Sequence, residues 1–233
     1  MKVNEIFVSI EGEGKRAGLP CAFVRLFGCN LNCSYCDTRY SCDGEEYEIL
    51  TKEQILERLE DKKVENVTIT GGEPLIHVGI YPLIKLLVDK GYQVNVETNG
   101  SIRPQHIYSR EFEPFNPPGP FAKPKVKDAG SVFYTMDWKC AGSGMSDKMN
   151  MEHVNSLTDD DVLKFVVGSK DDLNEALEVI EGMASHPQVY FSPVYGKIEA
   201  KEIVEYLLEK RLFNCKVQLQ LHKYIWDPKK RGV

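Results

Sequence analysis

Three of the seven cysteines, Cys29, Cys33 and Cys36, stand in FGCNLNCSYCDT, residues 27–38. Thiolates select zinc or iron–sulfur clusters. A structural zinc site wants four ligands, usually as two C-x2-4-C pairs far apart in the chain. Cys21, Cys42, Cys140 and Cys215 are isolated, so no second pair exists. A zinc site would have to borrow its fourth ligand from Cys42 or a histidine. Three close thiolates suit a four-iron cluster that leaves one iron without a protein ligand. An open iron is useful only if another molecule binds it, and the spacing favours this arrangement over zinc. Gly28 and Asn30 suit a loop that curls tightly around a bulky group.

Two further stretches could do chemistry. In TITGGEP (68–74) a β-rich run meets two glycines, a carboxylate and a proline. Paired glycines let a ligand approach the backbone, though a plain strand-to-helix turn has the same composition. In VETNG (96–100) another run ends in an acid, an amide and a glycine. Glu97 could take hydroxyls or an ammonium group. The bland alternative is a solvated turn cornered by Asn99-Gly100.

The elements around these stretches decide whether they meet. CAFVRLF (21–27), ENVTIT (65–70), QVNVET (93–98), SVFYTMD (131–137), DVLKFVV (161–167), QVYFSPV (188–194) and CKVQLQLH (215–222) read as strands. TKEQILERLED (51–61) reads as a helix, with capping-box spacing at Thr51 and Gln54 and an apolar stripe at Ile55, Leu56 and Leu59. YPLIKLLVDKG (81–91) reads as another, with Pro82 in its first turn and Gly91 as its stop. Two more fall near 170–184 and 199–211. Alternating strands and helices imply an α/β fold with a mostly parallel sheet and ligands at the strands' carboxyl ends. All three stretches follow strands, so they should gather at one mouth. Seven strands are too few for a closed eight-stranded barrel, leaving a partial barrel or an open sheet. Residues 101–130 carry six of the twelve prolines and read as an irregular insertion.

Bulk properties narrow the partners. The chain has 233 residues, 42% of them apolar and 27% charged, with a net charge of −6. That is ordinary for one globular domain, here taken as 1–233. Acidity and the lack of a long basic run argue against nucleic acid. No apolar run approaches the ~20 residues of a membrane span. MKVNEIFVSIEGEG lacks the features of a signal peptide, so the cytoplasm is the expected setting. Thiols stay reduced there, which favours metal binding over disulfides.

Cys-x3-Cys-x2-Cys followed by GGEP resembles the radical S-adenosylmethionine (SAM) superfamily, whose fold is a partial (β/α)6-type barrel. FVSIEGEGKRAGLPCAFVRLFGCNLNCSYCDT resembles, more narrowly, the start of the 7-carboxy-7-deazaguanine synthases of the queuosine pathway. The likeness continues through TGGEP, ETNG, MDWKCAGSGM, FSPVYG and LQLHKYIW and covers essentially the whole chain. The family usually has glutamine where this chain has Glu11; a carboxylate there lacks the amide's two donors.

The resemblance implies a lyase that converts 6-carboxy-5,6,7,8-tetrahydropterin to 7-carboxy-7-deazaguanine. Reductive cleavage of SAM, hydrogen abstraction at C6, ring contraction and loss of ammonia would be its steps. It implies a [4Fe-4S] cluster on Cys29, Cys33 and Cys36, SAM, and Mg²⁺ on Thr38. SAM contacts would be Tyr35, Cys36, Asp37, Gly72, Glu97, Asp137, Trp138, Lys139, Ser192, Pro193, Val194 and Tyr195. Substrate contacts would be Ile10, Glu11, Gly12, Arg25 and Thr70. A homodimer, a flavodoxin- or ferredoxin-class electron donor, and Lys229 or Val233 near the substrate are also implied.

Some of this agrees with the residues themselves. Arg25 on an apolar strand is expensive to bury without an anion, which could be substrate or a nearby acid. The Thr38 hydroxyl is a hard donor suited to Mg²⁺, and equally suited to capping a helix. Two competing functions use the same residues: an activase that makes a glycyl radical on a partner protein, docked through 101–130, and a non-catalytic zinc or iron–sulfur binding module.

Overall fold

The computed structural model describes residues 1–107, 131–228 and 230–233. Most of the insertion and Lys229 lie outside them. Among the described residues nine strands form one sheet. They are β1 (Lys2–Ile10), β2 (Pro20–Leu26), β3 (Glu48–Ile49), β4 (Asn66–Gly71), β5 (Gln93–Thr98), β6 (Ser131–Trp138), β7 (Val162–Val167), β8 (Gln188–Pro193) and β9 (Cys215–Val217). Their order is β3-β1-β2-β4-β5-β6-β7-β8-β9. From β2 to β9 every neighbour is parallel, while β1 pairs antiparallel with β2 and β3. The edges, β3 and β9, do not meet, so the barrel is partial, as the strand count implied.

Period-two alternation divides each parallel strand between two environments. One face carries Ala22, Val24 and Leu26, Val67 and Ile69, Val94 and Val96, Leu163 and Phe165, all buried in the core. All the helices but the last, short one cover that face. The helices are α1 (Lys52–Glu60), α2 (Ile80–Asp89), α3 (Met151–Val154), α4 (Lys170–Gly182), α5 (Ala200–Glu209) and α6 (His222–Ile225). Leu83, Ile84 and Leu87 of α2, Leu173 and Ala176 of α4, and Ile203 and Leu207 of α5 join the same core. The other face presents Arg25, Thr70, Glu97, Asp137 and Lys164 to the barrel's interior. The strands are therefore apolar toward the helices and polar toward the lumen.

The expected caps are present. The Thr51 hydroxyl accepts from the Gln54 N–H, and the Gln54 side chain answers from the Thr51 N–H. Gly91 ends α2's turn at φ +88°. The sequence pattern errs at 215–222, where only Cys215–Val217 joins the sheet. The alternation continues for another purpose. Gln218 bonds both the N–H and the carbonyl of Gly14 (2.8 Å each), and the Leu221 N–H reaches Gly12. The Gln218 N–H still reaches the Phe191 carbonyl of β8 (2.8 Å), and beyond it the segment is pinned to the turn after β1.

That turn also fills the lumen at the strands' amino ends. Arg16, 10% exposed, bonds Glu11 (2.9 Å), the Gln93 carbonyl (2.7 Å) and Thr68 (2.9 Å). Glu11 also accepts from Thr68. These polar groups satisfy each other where water is excluded.

Leu83→Ala should cost about 2–5 kcal/mol of stability, because it empties a fully buried site between α2 and the sheet. Thr51→Ala should cost about 1 kcal/mol through the lost cap. Chemical denaturation of the cluster-free protein checks both, and equal losses would contradict the packing described.

Candidate active site

A cavity of about 880 Å³ opens at the carboxyl ends of the parallel strands. Cys29, Cys33 and Cys36 all line it. Their loop follows β2 directly and is held at several points. The Gly28 N–H bonds the Ser41 carbonyl (2.8 Å), the Ser34 N–H bonds Ser143 (2.9 Å), and the Ser34 hydroxyl bonds Gly142 (2.8 Å). The Asn99 amide reaches Asn30 (3.0 Å) and the Cys29 sulfur (3.6 Å). Hydrogen bonding from the Cys42 side chain draws the Cys29 and Cys36 thiols down to about 6. Burial pushes the Cys33 thiol up, against the pull of Lys139. Three sulfurs on one wall, two of them poised as thiolates, are a donor set that fits an iron–sulfur cluster.

The GGEP turn is a close-approach device. Gly71 has φ +139°, and a Cβ there would collide with the Leu26 carbonyl. A Cβ at Gly72 would strike the Gly28 carbonyl and lie 2.9 Å from the Cys29 side chain. Only glycine lets β4's end lie this close beneath the cysteine loop. Glu73 is fully buried and accepts from the Leu75 N–H (2.9 Å), the Thr98 hydroxyl (2.8 Å) and the Asn99 N–H (2.6 Å). It thus ties GGEP to the ETNG end of β5. Burial pushes its carboxyl up to about 7. ETNG is accordingly not a solvated turn, since Asn99 is buried and Glu97 faces the cavity.

Charged groups crowd the lumen. Lys164 of β7 pairs with Glu13 and with Asp137 (3.1 Å), and Asp137 also pairs with Lys139 (2.6 Å). Burial opposes both charges of each pair, yet the partners win: Asp137 is held below the usual carboxylate range, and Lys164 and Lys139 stay firmly protonated. Burial pushes Glu97 up to about 7, with Lys164 opposing and Glu11 and Glu13 adding to the rise. Arg25 pairs through Nε with Glu5 (2.6 Å) and lies against the rings of Phe7 and Tyr40. The Thr38 side chain makes no cap to the turn it precedes, and its hydroxyl lies 3.9 Å from the Cys36 sulfur.

A C-terminal segment completes the wall. Lys223 of α6 pairs with Asp37 of the cysteine loop (2.8 Å), and Arg231 lies over Tyr40 (3.9 Å) while pairing with Glu46 (2.9 Å). Asp37 stands at the exposed rim, and against the desolvation of the cavity mouth Lys223 holds its carboxyl below the usual carboxylate range. His222 and Val233 line the same cavity.

Most of the residues singled out by sequence converge here. Ile10, Gly12, Arg25, Tyr35, Asp37, Thr38, Thr70, Gly72, Glu97, Asp137, Lys139, Val194 and Tyr195 line the cavity with the three cysteines. Four stand elsewhere. Glu11 is turned into the Arg16 cluster, and its backbone N–H and carbonyl bond Leu19 and Gly18. Trp138 faces the helices and donates to Glu175 (3.1 Å). Ser192 and Pro193 sit behind the surface, with the Ser192 hydroxyl 3.4 Å from Glu13. Glu13, Lys164, His222 and Lys223 went unnoticed. Lys164 carried a readable signal, a lone charge on an apolar strand like Arg25. Glu13 lay in the same EGEG turn as its chosen neighbours. A second candidate ligand group, Cys140 with Asp172 and Glu175, is excluded by its bonding. The carboxylates already accept from the N–H groups of Gly142, Gly168, Ala141 and Trp138.

Comparison with known proteins gives a consistent answer. The Radical SAM superfamily matches residues 24–108. A 7-carboxy-7-deazaguanine synthase of Clostridium acetobutylicum is 39% identical over 100% of this chain and 99% of its own length. One from Methanospirillum hungatei is 37% identical over 98% of this chain and 86% of its own. Among solved structures, QueE from Escherichia coli superposes with a TM-score of 0.70 at 20% identity, covering 94% of this chain and 92% of that one. Streptococcus suis SuiB shares the fold with a TM-score of 0.52 over 84% of this chain. With the three sulfurs, the glycine cradle and this likeness along its whole length, the chain belongs to the 7-carboxy-7-deazaguanine synthase family of radical SAM enzymes.

Proposed function

We propose that the protein converts 6-carboxy-5,6,7,8-tetrahydropterin to 7-carboxy-7-deazaguanine with loss of ammonia, the whole chain acting as one radical SAM domain. The convergence of the three cysteines, Arg25 and Thr38 on one cavity carries this reading. Cys29, Cys33 and Cys36 would hold a [4Fe-4S] cluster, and Thr38 would hold Mg²⁺. When bound, the reduced cluster and SAM supply the one-electron cleavage that starts radical chemistry.

The chain's own residues would then bind, orient and shield. Arg25 is clamped by Glu5 through Nε, which leaves its terminal nitrogens suited to forking a substrate carboxylate. Thr38, lining the same cavity, would offer a hard oxygen to Mg²⁺. Glu97, poised near neutrality, would accept from an ammonium group of SAM, and Asp137 with Lys139 would hold its polar parts. Phe7, Phe23, Val166 and Val194 add an apolar lining that keeps water from a reactive radical. Glu11 bears on the fold of the turn through Arg16, which explains why a carboxylate is compatible with this family. The reading also carries a homodimer, a flavodoxin- or ferredoxin-class donor and a cytoplasmic setting. No helix among the described residues is long and apolar enough to cross a membrane.

Anaerobically reconstituted and reduced protein, given SAM, Mg²⁺ and the pterin, should form deazaguanine without consuming SAM stoichiometrically. SAM cleavage without product would point instead to an activase, and metal binding without SAM cleavage to a binding module. Cys33→Ala should lose both the iron–sulfur absorbance and turnover. Arg25→Lys keeps the charge but loses the fork, so KM for the pterin should rise roughly 10- to 100-fold with a smaller change in kcat. A kcat loss at unchanged KM would remove Arg25 from substrate binding.

Glu97 gives a pH signature. Burial pushes its carboxyl up to about 7. A cationic group binds the ionised form, so SAM affinity should fall as pH drops through that value, by roughly tenfold between pH 8 and pH 6. Calorimetric titration of cluster-loaded protein checks this. Glu97→Gln should flatten the profile, and an unchanged slope in that variant would refute the assignment.

A further inference from the structure

Arg25 is the only charged residue of β2, and the groups that aim it lie outside that strand. Among the described residues its guanidinium hydrogen-bonds through Nε alone, to Oε1 of Glu5 (2.6 Å). The two residues are partners across the antiparallel β1–β2 pair. The Tyr40 hydroxyl donates to the same Glu5 oxygen (2.9 Å). Arg25 and Tyr40 line the cavity, and Glu5 does not.

Tyr40 is itself well held. It is the middle residue of the 3-10 turn Arg39–Ser41. Ser41 is fully buried; its hydroxyl donates to the Thr38 carbonyl (2.8 Å), and its carbonyl accepts from the Gly28 N–H (2.8 Å). The turn is thereby tied to the chain just past β2. The Tyr40 ring meets two guanidiniums, Arg231 at 3.9 Å and Arg25 at 5.9 Å. Arg231 is in turn paired with Glu46 (2.9 Å). Phe7 also faces Arg25 (5.7 Å) and stacks on Phe23, with centroids 5.0 Å apart.

One ion pair fixes a distance and not a direction. A half-buried carboxylate such as Glu5 can turn about its own side-chain bonds and carry the guanidinium with it. A second donor on the same oxygen removes that freedom, because it comes from a separately anchored turn. The two rings restrict the guanidinium further. Nη1 and Nη2 keep no hydrogen-bond partner among the described residues, and together they match the two oxygens of one carboxylate. We propose that Tyr40 is a positioning residue: through Glu5 it holds Arg25 at the angle at which both terminal nitrogens meet the carboxylate of the pterin. The inference rests on the substrate reading made above. Placement of a bound group is sensitive to small displacements, so a lost hydroxyl one residue removed from the substrate should be felt there.

The test is calorimetric titration of cluster-loaded protein, with SAM and Mg²⁺ present, by 6-carboxypterin and by pterin, which differ only in the carboxylate. Wild type, Tyr40→Phe, Arg25→Lys and the double variant are compared. Tyr40→Phe removes the hydroxyl and keeps the ring, so the contact with Arg231 survives. Wild type should prefer the carboxylated ligand, and Tyr40→Phe should lower that preference roughly tenfold, the effect of one hydrogen bond to a charged group. Its affinity for pterin should stay at the wild-type value. Arg25→Lys should lower the preference at least as far. The double variant should match Arg25→Lys within about twofold, since both changes act through one guanidinium. An unchanged preference in Tyr40→Phe, an equal loss for both ligands, or full multiplication of the two effects in the double variant would overturn the proposal. If wild type shows no preference, or Arg25→Lys retains it, Arg25 does not take the carboxylate. The substrate reading then falls and this inference with it, a result distinct from the failure of Tyr40 alone.

Discussion

Burying charge in the middle of a barrel governs much of this molecule. Lys164 comes from a strand otherwise apolar on both sides, and its ammonium is nearly sealed from water. A lone charge there would be costly by several kcal/mol. Glu13 from the first turn and Asp137 from the neighbouring strand make it tolerable, and Asp137 in turn needs Lys139. The pairing locks β6, β7 and the turn after β1 into one arrangement. Burial in the same lumen pushes Glu97 up to about 7, with Lys164 opposing and Glu11 and Glu13 adding to the rise.

The other organising constraint is distance. Three strand ends must approach closely enough for one cavity to see their loops together. Glycine at positions 71 and 72 removes the side chains that would hold β4 away from β2. Glu73 then reaches across to Thr98 and Asn99, so the second and third chemical stretches share one buried carboxylate. Asn99 passes the linkage on to Cys29 and Asn30. A displacement at any one of these loops is transmitted to the cysteines through hydrogen bonds of ordinary length.

Much of this was legible beforehand because local physics dominates it. Strand–glycine boundaries, the Thr51 capping box and the apolar stripes of α1 and α2 are short-range features, and they appear where the sequence puts them. The convergence of the cysteine loop, GGEP and ETNG followed from the parallel topology alone. Side-chain direction was harder to read. Glu11 and Glu13 are two residues apart on a turn, where no period fixes which one faces inward. Glu11 faces Arg16, and Glu13 faces Lys164. Trp138 and Asp137 are adjacent on a strand, so only one of them can reach the lumen. The contact between Lys223 and Asp37 spans most of the chain, and no local pattern announces it. At 215–222 the alternation was real but served the turn after β1 instead of the sheet.

The plug formed by Arg16 and Glu11 gives the barrel the shape of a stoppered flask. The amino-end opening is filled by a guanidinium bonded to groups from three segments, with the Phe133 ring against it. With that end closed by bonded side chains, the described cavity opens toward the carboxyl ends of the strands, the same side on which the three cysteines stand.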